Sequence, residues 1–517
     1  SSAVAYGEMW RSTLRHIGGQ FGTGIQSYFN FLRFLVLMNF VASLLVAGFV
    51  IAPNAAFEAL SLNRTTHQNS SLGEGNFKSS STHPRQNYSS RNHLLFSLLP
   101  TFRRSVYCLK RSLVSEDASL GSYSNKVFAG WDFGLVEHKA AQLKHKSIRY
   151  ELRMDLEEEA VRRRQAEMTT AQRTRLYVFR GVLNILVLGL LGGSFYCIYL
   201  ATDSQVKGQF ALELLVAYLP SVVITAANLI VPMIFEVIVQ LEKYPLSFQI
   251  KITLLRSVFL RLASLVVLLI SLWSQITCGG DPQNPECQKC GYNNHLHPCW
   301  ETSVGQEMYR LMIFDLLVML LVMLFVEFPR KLLVTAFPSC PLLKFWGQQE
   351  FVVPANVLDL VYGQTLCWTG VLFCPLLPVL NTIKYIVVFY LKKLTLYANC
   401  RPAERTFRAS SSNFFFLLVL LLGLAISCVP ALYSILPPSK ACGPFRGEPT
   451  MWNTVSSAIS ELPRTARDFF GYVGSIAFAV PLFLLLSILM FFLKALADSY
   501  SSVVKGLKWQ LRLVSGS

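Results

Sequence analysis

Polar side chains inside long apolar runs are the first chemistry this sequence offers. Glu213, Asn228 and Glu236 fall in a run at 210–239, and Arg256 and Arg261 in one at 252–277. Asp315 lies in 308–328, with Glu327 at its end. Asn356, Asp359, Gln364 and Thr365 lie in 355–378, and Asn381 and Lys384 in 379–399. Such groups are costly in lipid and face a cavity, water or a polar partner. Glu213, Asn228 and Glu236 are separated by 15 and 8 residues; at about 100° per residue these are offsets of about 60° and about 80°. The three share a half-face, and a polar stripe of that kind lines a conduction path. The competing reading is pairing between helices, for example Arg261 with Asp315 or Glu213. For the group as a whole a path is favoured, with Glu213, Asn228, Glu236, Arg256, Arg261, Asp315, Asp359, Gln364 and Lys384 as its candidate lining. Pro220 and Pro232 interrupt the first run, where proline kinks a helix and frees backbone carbonyls.

Other chemistry is missing. The chain has no P-loop, dinucleotide fingerprint, kinase signature or His-Glu-x-x-His motif, and its eight histidines fall mostly in loops. No segment is large enough for a nucleotide-binding unit, so transport is passive or ion-coupled. No catalytic group, cofactor or resident metal is expected.

Cys278, Cys287, Cys290 and Cys299 cluster in one loop, and Cys442 lies in another. Cys287-x-x-Cys290 with His295, His297 and Cys299 has the look of a zinc cluster. On the oxidising side of a membrane disulfides are favoured, and four cysteines allow three pairings between which the sequence does not choose.

These residues need long helices to position them. The 517 residues are 52% hydrophobic and 15% charged, against about a quarter charged in soluble proteins. The apolar residues come in blocks of about 20, the length that crosses a lipid core. The blocks lie at 28–52, 177–200, 210–239, 252–277, 308–328, 355–378, 379–399, 413–436 and 475–499. No barrel alternation is present, so the expectation is an all-α polytopic membrane protein. Lys and Arg concentrate in 1–27, 126–176, the loops near 240–251, 328–350 and 392–408, and the tail 501–517, which assigns those segments to the cytoplasm. These loops account for most of the net charge of +17, so nucleic-acid binding is not needed. Sequons at Asn63, Asn69 and Asn87 fall on the opposite side, as glycosylation requires.

Parity then demands a crossing between Asn87 and Trp131. The only apolar material there is Leu94–Leu99, followed by Pro100, Arg103, Arg104, Lys110 and Arg111. The second span of a ten-helix bundle is therefore missing or degenerate in 53–125. The chain starts at Ser1 without a cleavable signal, so a longer natural N-terminus is expected. Within 126–176, Val136 to Arg180 reads as one long charged helix. It would lie on the membrane or dock a partner or anionic lipid.

The run Leu366-Cys367-Trp368-Thr369-Gly370-Val371-Leu372-Phe373-Cys374-Pro375-Leu376-Leu377-Pro378 resembles the signature of the transmembrane channel-like (TMC) family: a Cys-Trp, a Gly, then Pro-Leu-Leu-Pro. Gly130-Trp131-Asp132-Phe133, Glu327-Phe328-Pro329-Arg330-Lys331, Phe407 to Phe414 and Cys442-Gly443-Pro444-Phe445 agree with it. The resemblance covers 123–500 and the first span, and its wording is similar to the non-auditory subgroup. It implies an anoctamin-like fold of ten helices in the plasma membrane, with both termini cytoplasmic. It implies a homodimer whose protomers each carry a path lined by 210–239, 252–277, 308–328 and 355–378. It also implies binding of a calcium- and integrin-binding protein on 136–176. Inorganic ions are the expected cargo, with chloride favoured because the subgroup includes a chloride-conducting member. Gating is expected near Pro220, Pro232 and Pro375. A mechanically gated cation channel is the alternative, followed by a lipid scramblase or a non-conducting accessory subunit.

Overall fold

The computed structural model describes residues 10–21, 23–48, 138–203, 210–280, 297–337, 351–400, 409–429, 453–460 and 463–473, with scattered positions in 287–294, 438–450 and 475–499. The sequons at Asn63, Asn69 and Asn87, the degenerate second-span region, Cys290, His295, most of the last predicted span and the tail 501–517 lie outside the described residues.

Helices account for nearly all of what is described. They are α1 (Arg11–Phe21), α2 (Thr23–Val46), α3 (His138–Glu167), α4 (Thr170–Asp203), α5 (Phe210–Leu241), α6 (Leu246–Ile276) and α7 (Trp300–Val322). A π-helical turn (Met323–Glu327) joins α7 to α8 (Phe328–Ala336). Then come α9 (Val353–Gly370), α10 (Leu377–Ala398), α11 (Ala409–Ser427), α12 (Asn453–Ser460) and α13 (Arg464–Val473). Among the described residues, five stretches are long and apolar enough to cross a membrane: Gly24–Val46, Thr170–Asp203, Tyr218–Leu241, Phe248–Ile276 and Trp300–Ala336. The chain is an all-α, multi-pass membrane protein.

Burial separates a central helix from peripheral ones. Every residue of α9 from Leu360 onward is buried, because α9 packs against α2, α6, α7, α10 and α11. Its contacts with α2 and α10 form the main core, from Phe29, Leu32 and Leu35 to Val357, Trp368, Tyr385 and Phe389. A second core joins Ile198, Ile224, Leu265 and Leu268 to Met308, Leu311, Tyr362 and Leu366. Gly370 makes one of these approaches possible, since a Cβ there would sit 2.7 Å from that of Met308. By contrast α4 exposes Ile185 (70%) and Leu188 (65%). Continuous apolar exposure of this kind is the signature of a lipid-facing surface.

Several boundaries differ from the sequence reading. The expected single helix from Val136 to Arg180 is two, divided at Met168–Thr169. There the Gln172 side chain reaches back to accept from the Thr169 N–H at 3.4 Å, one arm of a capping box, where the new helix starts. The span expected at 308–328 begins at Trp300 and runs on to Ala336. Pro329 removes a donor and crowds the carbonyl four residues back, and the chain accommodates this with the wider π turn just before it. The span expected at 355–378 ends at Gly370. Pro375 lies in the turn 371–376 between α9 and α10, so it is not a hinge inside a helix. Pro220 and Pro232 are inside α5.

Candidate functional site

Two ion pairs form where α6, α7, α9 and α10 meet, with α5 beside them. Lys384 on α10 donates to Asp315 Oδ2 on α7 at 2.5 Å. Arg261, near the middle of α6, pairs with Asp359 on α9. Tyr362, one helical turn beyond Asp359, lies within the fields of both Asp315 and Arg261 and borders Asn228 of α5. Asp315 also acts on Arg261. The six groups are thus one cluster, in which two cations are balanced by two carboxylates.

The balance is uneven in space. Lys384 is 3% exposed against 20% for Asp315, and Arg261 is 15% exposed against 29% for Asp359. Each carboxylate is more exposed than the cation it pairs with. Donor and acceptor capacity is left over, because Arg261 Nε and Asn228 Oδ1 are buried without a hydrogen-bond partner. Gly363 lies directly under the Lys384 ammonium; a Cβ there would stand 2.9 Å from Nζ.

A second cluster lies at the end of the bundle where α5 turns into α6. Glu242, completely buried, accepts from Arg256 at 2.7 Å, and Arg256 also donates to Asn184 of α4 at 2.8 Å. Arg180 of α4 donates to the Glu242 and Lys243 carbonyls at 2.9 and 3.0 Å and lies 4.1 Å from the Tyr244 ring centroid. This clip fixes the turn in which Lys243 takes a φ of 51°. Toward the opposite end, Arg310 pairs with Glu307 on α7 and lies 5.0 Å from the Tyr218 ring.

The predicted lining residues are therefore divided. Asn228, Arg261, Asp315, Asp359 and Lys384 come together. Arg256 belongs to the α5–α6 clip. Glu236 is exposed on α5, and the side chain of Glu213 lies outside the described residues. Gln364 is fully buried, accepting from Asn39 of α2 at 2.6 Å and from Asn381 of α10 at 3.2 Å. The suggested pairing of Arg261 with Asp315 is corrected: Lys384 takes Asp315, and Arg261 takes Asp359. Sequence reasoning missed Asn39, Asn184, Arg180, Tyr362 and Glu242. Asn39 carried the same signal as the others, a polar group inside an apolar run. Glu242 was hidden because it reads as a loop residue.

Two disulfides close the loops beyond α6 and α7. Cys278 is joined to Cys287, and Cys299 to Cys442, 143 residues away. The zinc reading loses two of its three thiols, Cys287 and Cys299, to disulfides, and among the described residues no group of His, Cys, Asp or Glu could hold a metal. The pairing of Cys299 lay outside the four-cysteine set, since it links loops that only the fold brings together. Beside it the Ser439 N–H donates to Glu301 and the Lys440 N–H to Tyr292, at 2.8 and 2.9 Å. Trp273, Trp300 and Phe373 pack edge to face beneath.

Comparison with known proteins meets this geometry. The TMC domain matches residues 299–410, which hold α7 through α10 and three of the four paired charges. The human voltage-gated chloride channel TMC4 is 47% identical over 97% of this chain and 76% of its own length. Human transmembrane channel-like protein 8 is 37% identical over 93% of the chain and 72% of its own length. Human transmembrane channel-like protein 5 is 28% identical over 98% and 50%. The chain belongs to the transmembrane channel-like (TMC) family.

Proposed function

We propose that this protein is a passive chloride channel whose path runs along α5, α6, α7 and α9 past the cluster of Asn228, Arg261, Asp315, Asp359 and Lys384. One observation carries the reading: two cations and two carboxylates from four helices meet among lipid-spanning segments, where isolated charges would be prohibitively costly. The name of the 47%-identical relative supplies chloride as the ion. The cations Lys384 and Arg261 give an anion its counter-charge.

The same reading places the protein in the plasma membrane with both termini cytoplasmic, the sequons outside, and two protomers each with a path. It assigns α3 to the cytoplasmic side as a surface for anionic lipid or a calcium- and integrin-binding protein. The pairs Arg153–Glu157 and Arg163–Glu159, each joining residues one turn apart, lie exposed along that helix.

Whole-cell recording tests the function. Chloride is replaced by gluconate and sodium by a bulky cation. A reversal potential that follows chloride, with current reduced by Arg261→Gln or Lys384→Gln, is the expected result. A potential that follows sodium hands the case to a cation channel. Silence with confirmed surface expression leaves a scramblase or an accessory subunit.

A further inference from the structure

We propose that Asp315 and Asp359 are tethered anions that occupy the chloride sites of Lys384 and Arg261, so that chloride and carboxylate exchange on the same cations as the path opens. This rests on the chloride-channel reading above.

Three features of the cluster point this way. Each carboxylate is more exposed than its cation, so an entering anion meets the carboxylate first and the cation only if the carboxylate yields. The cations hold spare donors: Arg261 Nε is buried and unpartnered, and only one of the three ammonium protons of Lys384 is used by Asp315. Each carboxylate is carried by a short side chain that moves by hopping between rotamers.

Energetics make the exchange obligatory. A Lys or Arg stripped of its partner in a low-dielectric interior costs several kcal/mol. A carboxylate therefore leaves its cation only as another anion arrives. With both carboxylates docked the sites are filled by the protein and no chloride is held. With both displaced, two cations face the path and each holds a chloride. Opening then depends on chloride concentration. It also depends on voltage, because the displacing ion moves its charge through part of the membrane field.

Patch recording of the full chain at low and high chloride, with gluconate making up the difference, tests this. In the wild type, raising chloride shifts the conductance–voltage curve toward opening. Asp315→Asn and Asp359→Asn each remove one competitor. Each is expected to conduct at chloride about tenfold lower than the wild type, which corresponds to about 1.4 kcal/mol of lost competition, and to lose most of the chloride-dependent shift. Lys384→Gln is expected to lose current. A wild-type curve that ignores chloride, while the reversal potential follows chloride, overturns the exchange but leaves the channel standing. So does an unchanged shift in both Asn variants. A reversal potential that never follows chloride overturns the underlying function instead. If one Asn variant fails to reach the surface, the other and the wild-type chloride series still decide.

Discussion

Asn39 Nδ2 donates to Gln364 Oε1 across 2.6 Å, joining α2 to α9 where both side chains are completely buried. Asn381 of α10 shares the same acceptor, so one glutamine on the central helix ties two others to it.

Gln364→Leu removes the acceptor that Asn39 and Asn381 share, leaving Asn39 only its bond to the Leu35 carbonyl and the Asn381 amide without this partner. The expected loss is about 1–3 kcal/mol for each unsatisfied group, seen as a lower melting temperature of the detergent-solubilised protein. Ion selectivity should not change, because Gln364 is completely buried. A shifted reversal potential in this variant would place Gln364 on the path after all.

The α5–α6 clip makes a double-mutant prediction. Glu242→Ala strands Arg256, and Arg256→Ala strands a fully buried Glu242. Removing one member of a buried pair costs about 3–5 kcal/mol. The combination of Glu242→Ala with Arg256→Ala should cost less than the two single changes added, measured by chemical denaturation or by surface yield. Strict additivity would show that the pair contributes no coupling.

The link between Cys299 and Cys442 predicts equivalence. Cys299→Ser, Cys442→Ser and the double variant should be destabilised alike, by about 2–4 kcal/mol, because each opens the same long loop. Mapping of unreduced peptides should recover the two segments joined. Recovery of Cys299 joined to another cysteine would refute the pairing.

His297 gives the loop before α7 a dependence on pH. Burial holds its pKa below the usual histidine value, and Nε2 has no partner. The unfolded histidine therefore takes up a proton more readily than the folded one. Stability from this group is complete above about pH 6.5 and falls as the pH drops through that value toward the lower folded pKa. Hydrogen exchange across 292–304 should quicken on acidification in the wild type and far less in His297→Asn. A profile that is flat with pH would rule this out.

The class of the molecule and the five long apolar spans at Gly24–Val46, Thr170–Asp203, Tyr218–Leu241, Phe248–Ile276 and Trp300–Ala336 were legible in the residues alone. Both follow from local physics: an apolar run of membrane length has one stable outcome in lipid, a helix with every backbone group paired internally. The sequence also singled out Arg261, Asp315, Asp359 and Lys384, since a charge within such a run is conspicuous whatever it touches. Which charge meets which was decided by tertiary structure alone. Asp315 is 69 residues from Lys384, and Asp359 is 98 from Arg261. Helical periodicity fixes a residue's face on its own helix, but not which neighbour that face meets. For the same reason the sequence could not separate Gln364, sealed between three helices, from the more exposed Asp359 a little over one turn away. Nor could it separate Arg256 in the clip from Arg261 in the cluster. Packing of α9 against five neighbours made those distinctions, because burial depends on which surfaces meet and on how closely small residues such as Gly363 and Gly370 let them approach.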